Sequence, residues 1–315
     1  MLARAPSKLI LLGEHSVVYG HPAVAVPLRS PMAEAEAVRA EGPVRVDLED
    51  LCLSWTVGKK PEGRELEAAA RIVELAGVPR TGWRLSVRSK IPLGCGMGSG
   101  AAVATAAFRA IFGCFGIACA PDRLSGLVYE VERLHHGSPS GIDNTVVAME
   151  RPVLFTKGKP PVFLSLPEEP CRLVVGYTGI RHRTAEVVAD VARSRSSDPA
   201  SFDAMFSEMG AVARQGAQAL RKGDLRELGG LMDRNQGLLA RIGVSSPELD
   251  RLIAAARSAG ALGAKLSGAG RGGCMVALAD GPELAGRLRA ALEAAGAAMA
   301  MESEALEAEH GEKTA

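Results

Sequence analysis

Several stretches of this chain place groups able to do chemistry at usable spacings. Gly94-Cys95-Gly96-Met97-Gly98-Ser99-Gly100-Ala101-Ala102, entered through Pro92, has the makings of an anion site. Phosphate binding needs backbone N–H groups that a ligand can approach closely, and a helix N-terminus adds unpaired donors and the positive end of the helix dipole. The glycines permit the approach, and small residues open the helix that follows, read from Ala101 to about Phe112. Taken alone, the same residues fit a tight connector equally well. Downstream, Glu132-Arg133-Leu134-His135-His136-Gly137-Ser138-Pro139-Ser140-Gly141-Ile142-Asp143-Asn144 sets one acid on a helix and a second beyond a Pro/Gly turn, so the two could converge. A base or orienting group at a hydroxyl, a carboxylate for a metal, and N–H groups around a phosphoryl are what phosphoryl transfer to an alcohol requires.

Each group also has a plainer reading. Asp143 could simply cap the segment after it, and Glu132 could be a solvated helix charge. His135 and His136 are adjacent and point apart on a helix, which makes them a poor metal pair. Lys8 lies in an apolar run entering the core, unusual for lysine unless its amine reaches water at an edge. His15 alone reads as a hydrogen-bonded structural histidine. Two nucleotide sites are excluded. The chain has no GxxxxGK(S/T) string, and Gly268-Ala269-Gly270-Arg271-Gly272-Gly273 leads into the strand-like Cys274-Met275-Val276-Ala277-Leu278, where a Rossmann site requires a helix.

The elements that must position these groups can be read from periodicity. Apolar runs 7–12 and 23–28 flank the polar Gly13-Glu14-His15-Ser16, which predicts strand, functional turn, strand. Alternation over 44–48 and 83–87 predicts two more strands with an amphipathic helix near 63–77 between them. A helix from about Asp122 to Leu134 carries Glu132. The buried-type run 173–177 begins a second unit, helical periodicity fills 201–258 with breaks near Gly223 and Gly243, and Ser246-Pro247-Glu248 starts the last of those helices. A helix over 281–296 and a short strand precede a polar tail. The expected division is 1–170, 171–303 and a frayed tail 304–315, consistent with the soft prior of two domains that 315 residues carry.

The net charge is +1 with no block of like charges, which argues against nucleic acid or an anionic membrane surface as partner. No apolar run is long enough for a spanning helix and no leader is legible, so a cytoplasmic location is expected. The six cysteines form no CxxC pair and read as reduced core residues. A homodimer is left open on the ground that two-fold pairs are the commonest oligomers.

Together, in identity, order and spacing, these segments resemble the motifs of the GHMP kinases over nearly the whole chain. Ala5-Pro6-Ser7-Lys8 through Gly13-Glu14-His15-Ser16-Val17-Val18-Tyr19-Gly20 resembles the first motif, in the form of the branch that acts on mevalonate. Ile91 to Ser99 resembles the second motif, Gly263 to Gly270 the third, and Glu132 to Asn144 the family's ERxxHGxPSGxDN segment. The resemblance implies an α+β fold in two parts, an N-terminal domain like ribosomal-protein S5 domain 2 and a C-terminal mixed α/β sandwich, with ATP and substrate in the cleft between. It implies transfer of the γ-phosphoryl of ATP to the C5 hydroxyl of mevalonate, with a related alcohol, another hydroxyl, or a catalytically dead sensor as alternatives. By the same token Asp143 would be the base with Lys8 holding it ionised, and Glu132 and Ser99 would hold Mg²⁺. Pro92 and Gly94 to Ala102 would cradle ATP, Glu14, His15, Ser140 and Thr184 would meet the acceptor, and Ser267, Gly268, Ala269 and Gly270 would form the third-motif loop.

Three positions depart from the family pattern. Gly100 stands where a second serine usually helps ligate the metal, Met97 replaces a leucine of similar volume, and Arg271 replaces a glycine, reaching either a phosphate or solvent. For the acceptor carboxylate, Arg181, His182, Arg183 and Arg193 are the nearby candidates.

Overall fold

The computed structural model describes residues 1–136, 139–181 and 184–307. Gly137, Ser138, His182, Arg183 and the tail from 308 therefore lie outside the described residues, as do the side chains of His135 and His136. The chain forms two compact units: unit 1 holds Met1–Ser7, Pro31–Pro92 and Gly98–Glu150, and unit 2 holds Lys8–Ser30, Leu93–Met97 and Arg151–Ala315. This is not the single cut near residue 170 expected from sequence. Two long strands, β1 (Leu2–Leu12) and β2 (Ala23–Pro43), each contribute to both units, so local composition gives no boundary there.

In unit 1 the strands β3 (Arg45–Leu48), β4 (Leu53–Thr56) and β5 (Thr81–Ser89) join the second half of β2 in the order β4-β3-β5-β2, with β3 and β5 parallel and the other pairs antiparallel. Alternation decides the faces. Trp83, Leu85 and Val87 of β5 are buried, as are Ala33, Ala35 and Ala37 of β2, while Glu34 and Glu36 turn outward. Four helices complete the unit: α1 (Arg64–Ala76), α2 (Ser99–Phe115), α3 (Pro121–His136) and α4 (Ile142–Met149). α2 touches the other three and β5. Its apolar residues run nearly all round, which is the pattern of a helix surrounded by protein. Trp83 packs edge-on against Phe115 at its end, with ring centroids 5.9 Å apart.

Unit 2 is built on an antiparallel sheet ordered β11-β8-β10-β9, comprising β8 (Arg172–Tyr177), β9 (Gly263–Ser267), β10 (Cys274–Ala279) and β11 (Met299–Glu304). The short strands β6 (Val153–Phe155) and β7 (Val162–Phe163) pair with each other, and β6 pairs with the start of β2. Every residue of β9 and β10 is buried, so both faces of this part of the sheet are covered. The helices are α5 (Thr184–Ser197), α6 (Pro199–Lys222), α7 (Leu225–Arg241), α8 (Pro247–Ser258) and α9 (Pro282–Ala294). Their starts follow local chemistry. Asp198, Asp224 and Ser246 accept hydrogen bonds from the backbone N–H of Ser201, Glu227 and Leu249, and proline opens α6 and α8.

β9 is an edge strand, whose free backbone groups need partners. α7 supplies them: Asp233 Oδ1 accepts from Ala264 N (2.9 Å) and Gln236 Oε1 from Leu266 N (2.9 Å). The tail expected to fray from 304 is tied down further along, because Ala305 N donates to Cys171 O and Leu306 N to Pro27 O. The cysteines are all free thiols, but Cys52 is exposed rather than part of a core. No helix among the described residues is long and apolar enough to cross a membrane.

Candidate functional site

In unit 1 the glycine-rich segment leads into α2, and the helix begins at Ser99, two residues earlier than read. Its N-cap is Gly98 at φ 69°, which contributes no side chain to occupy the first backbone donors. Gly100, in the first turn, faces Glu132 of α3: a Cβ placed on Gly100 would stand 2.7 Å from Glu132 Oε1. Glu132 is only 5% exposed, so it is not a solvated helix charge. Beside Gly100, the buried Ser99 Oγ has no hydrogen-bond partner among the described residues.

Asp143 lies half-buried in the first turn of α4 and is not its N-cap; that position is Gly141, because the chain enters the helix one residue before Ile142. Asn144 pins the helix to α3 by donating to Ser125 O (3.2 Å) and Ser125 Oγ (2.9 Å). Ser140 Oγ accepts from Ile142 N at 3.4 Å, which makes it part of the turn into α4. The acids 132 and 143 are thus carried by two packed helices of one unit.

In unit 2 three motifs meet. The loop 93–97 lies against the third motif so closely that a Cβ on Gly96 would be 3.0 Å from Ser267 O and 3.3 Å from Gly268 Cα; Gly96 itself is at φ 83°. Lys8 N donates to Met97 O at 3.0 Å, and Ser267 Oγ both accepts from Ile10 N (3.3 Å) and donates to Ile10 O (3.1 Å). Lys8 is 3% exposed, which removes the reading of an edge lysine with its amine in water. Cys95 is buried and its thiol is hydrogen-bonded to Cys274, which holds the Cys95 pKa below its ordinary value. The segment 268–273 joins the antiparallel strands β9 and β10, as the rejection of a dinucleotide site requires.

Glu14, expected to meet the acceptor, is instead enclosed. Its Oε1 is paired with the Lys265 ammonium and its Oε2 accepts from Asn235 Nδ2 (3.0 Å), with Glu14 1% and Lys265 0% exposed. Burial pushes the carboxyl pKa up and the ammonium pKa down, and each charge opposes the other's shift. Neither Lys265 nor Asn235 was singled out in the sequence. A lysine at the centre of an apolar strand was the available signal for the first; Asn235 gave none.

His15 follows Glu14 at φ 60° and ψ −50°, and its Nε2–H donates to Ala269 O at 2.9 Å. Desolvation lowers its pKa to about 4, helped by the charges of Arg271 and Lys265 and resisted by the bond to Ala269. An unfolded histidine titrates near 6.5, so between that value and about 4 the unfolded chain holds a proton that the folded chain lacks. Stability present above pH 6.5 is therefore lost as pH falls. We expect His15 to account for a loss of about 2 kcal/mol by pH 5. Urea midpoints at pH 7.5 and pH 5, compared between wild type and His15→Gln, check this; an equal drop in both would assign it elsewhere.

Thr184 is the exposed first residue of α5. Arg271 is partly exposed and its guanidinium pairs with Asp190. Of the carboxylate candidates, Arg193 is an exposed partner of the same Asp190, whereas the Arg181 stem runs beside the loop, 3.7 Å from a Cβ placed on Gly94. A groove of about 560 Å³ in unit 1, lined by Trp55, Lys59, Arg71 and Leu134 among others, contains none of the candidate residues.

The sequence profile of the GHMP kinases N terminal domain matches residues 65–151, and that of the GHMP kinases C terminal matches 217–298. The chain belongs to the GHMP kinase family and has its two-domain α+β fold. Among curated relatives, the mevalonate kinase of Thermococcus sibiricus is 37% identical over 316 residues, covering 94% of this chain and 93% of that one. Among solved structures, L. major mevalonate kinase in complex with R-mevalonate superposes with a TM-score of 0.84 at 28% identity, covering 97% of this chain and 95% of that one. The Methanococcus jannaschii mevalonate kinase gives 0.84 at 27% identity and 98% of both chains.

Proposed function

We propose that this kinase moves the γ-phosphoryl group of ATP to the C5 hydroxyl of mevalonate. The observation that carries the reading is the meeting of the first, second and third motifs in unit 2, in a chain 37% identical to a mevalonate kinase across 94% of its length. The open N-terminus of α2 would hold ATP phosphates on backbone N–H groups. Asp143 would accept the acceptor hydroxyl's proton, and Lys8 would add positive charge to the acceptor's surroundings.

The residues at the start of α2 fit Mg²⁺. An orphaned buried hydroxyl at Ser99 and a buried carboxylate at Glu132 are the hard oxygen donors that this ion takes. Among the described residues no cluster of three or more His, Cys, Asp or Glu forms a cage, which suits an ion held by one or two protein groups plus substrate phosphates. When bound, the ion would neutralise charge on the phosphate oxygens.

Gly100 stands where the family usually has a second serine at the metal. Here it gives the Glu132 carboxylate its room. Gly100→Ala should force that carboxylate aside and raise the Mg²⁺ concentration needed for half-maximal turnover about tenfold, equivalent to about 1.4 kcal/mol. Turnover measured against free Mg²⁺ checks it, and an unchanged profile removes Glu132 from the metal site. The reading as a whole is tested by incubating the protein with Mg·ATP and, in parallel, mevalonate, phosphomevalonate, galactose and homoserine, and locating the new phosphate by NMR. Phosphate at C5 of mevalonate is expected. Transfer to another acceptor, or none with ATP bound, refutes it.

A further inference from the structure

The backbone at His15 is a γ-turn of the rarer, positive-φ kind. Ser16 N donates to Glu14 O at 2.7 Å across a residue at φ 60° and ψ −50°. Such a turn is strained for any residue with a Cβ, and persists only where the surroundings over-determine it. The residue before the strain has no freedom: both Glu14 oxygens are engaged by Lys265 and Asn235, in a site from which water is excluded. Asn235 grips twice, since its Oδ1 also accepts from Gly13 N at 3.4 Å. Lys265 is itself anchored by the β9 ladder and donates to Leu266 O.

We propose that Lys265 is a positioning residue for the acceptor: through its buried ion pair with Glu14, completed by Asn235, it holds the turn that sets His15. The proposal rests on the reading above in giving His15 to the acceptor. It gives Glu14 an indirect part, because the carboxylate is buried against Lys265 and Asn235. An ion pair kept solely for stability would be an odd choice here, since a buried pair can often be replaced by apolar groups of like volume without loss, whereas removing one partner strands a charge.

The test uses that asymmetry. The double variant Glu14→Gln/Lys265→Met removes both charges together and keeps an amide oxygen for Asn235, so it should fold. Two quantities are followed: KM for mevalonate against KM for ATP, and the NMR titration of the His15 ring. We expect KM for mevalonate to rise tenfold or more with KM for ATP within twofold, and the His15 midpoint to move from about 4 toward its solvated value near 6.5. A midpoint that stays near 4 overturns the clamp whatever the activity, and so does a rise that Asn235→Ser does not share, because the Lys265 charge by itself lowers the His15 midpoint. A midpoint that moves while KM for mevalonate stays put overturns its part in acceptor binding. If the double variant fails to fold, Asn235→Ser cuts the contacts to Glu14 and Gly13 without stranding a charge and is judged by the same readouts. Failure of the wild type to phosphorylate mevalonate refutes the proposed function alone, because the ring titration still reports on the turn.

Discussion

Replacing Asp143 by alanine is expected to lower turnover about a hundredfold or more while leaving ATP affinity within twofold, the scale on which positioned acid–base groups act. The side chain is half-buried in the first turn of α4, and its neighbour Asn144 holds the helix to α3. Rapid-quench turnover and a nucleotide-binding isotherm on the same preparation separate the effects. Turnover like the wild type would take Asp143 out of the chemistry, and a parallel loss of ATP binding would recast it as structural.

Gly229→Ala should destabilise the fold strongly. A Cβ there would lie 2.2 Å from Leu262 O, and one on Gly263 would lie 2.1 Å from Gly229 O, so α7 and the entry to β9 touch backbone to backbone. Neither side of that contact is a side chain that can swing away. We expect a loss of about 3 kcal/mol, equivalent to roughly 6 to 12 °C in Tm. Gly230 next to it is exposed, with nothing within 4 Å of a methyl placed on it, so Gly230→Ala is the control and should gain about 0.8 kcal/mol from helix propensity. Calorimetry of the two variants decides the matter: equal Tm values would mean the helix shifts at little cost.

The elements most legible in the sequence were those with strong local signals. The alternation of β5, the capped start of α8 at Ser246 and the breaks at Gly223 and Gly243 all appear within a residue or two of where periodicity put them. The 21-residue β2 was seen only at its start, because alanine–glutamate alternation over 33–37 carries little strand propensity; its pairing with β5 makes the strand. α5 and β4 were not read at all, being short or weakly amphipathic. At the site, the glycine-rich loop and the two acids were named from their types. Which were buried, and by what, was not: a solvated helix charge stayed open for Glu132 beside the metal role, and Glu14 gave no sign of pairing with a lysine 251 positions away. Long-range electrostatic pairs leave no period in a sequence, and the strain at His15 is invisible without its dihedral angles.

That separation has a consequence for biosynthesis. Glu14 is synthesised 251 residues before the lysine whose charge allows its burial. At the usual 5–20 residues per second the delay is roughly 10 to 50 s. Throughout it, the turn that will carry His15 must stay hydrated and the apolar strand around it uncovered, since Ile10 also waits for Ser267. Glu14 and Ile10 thus wait long for their native partners, and a nascent chain stalled before β9 would present them to whatever else is nearby.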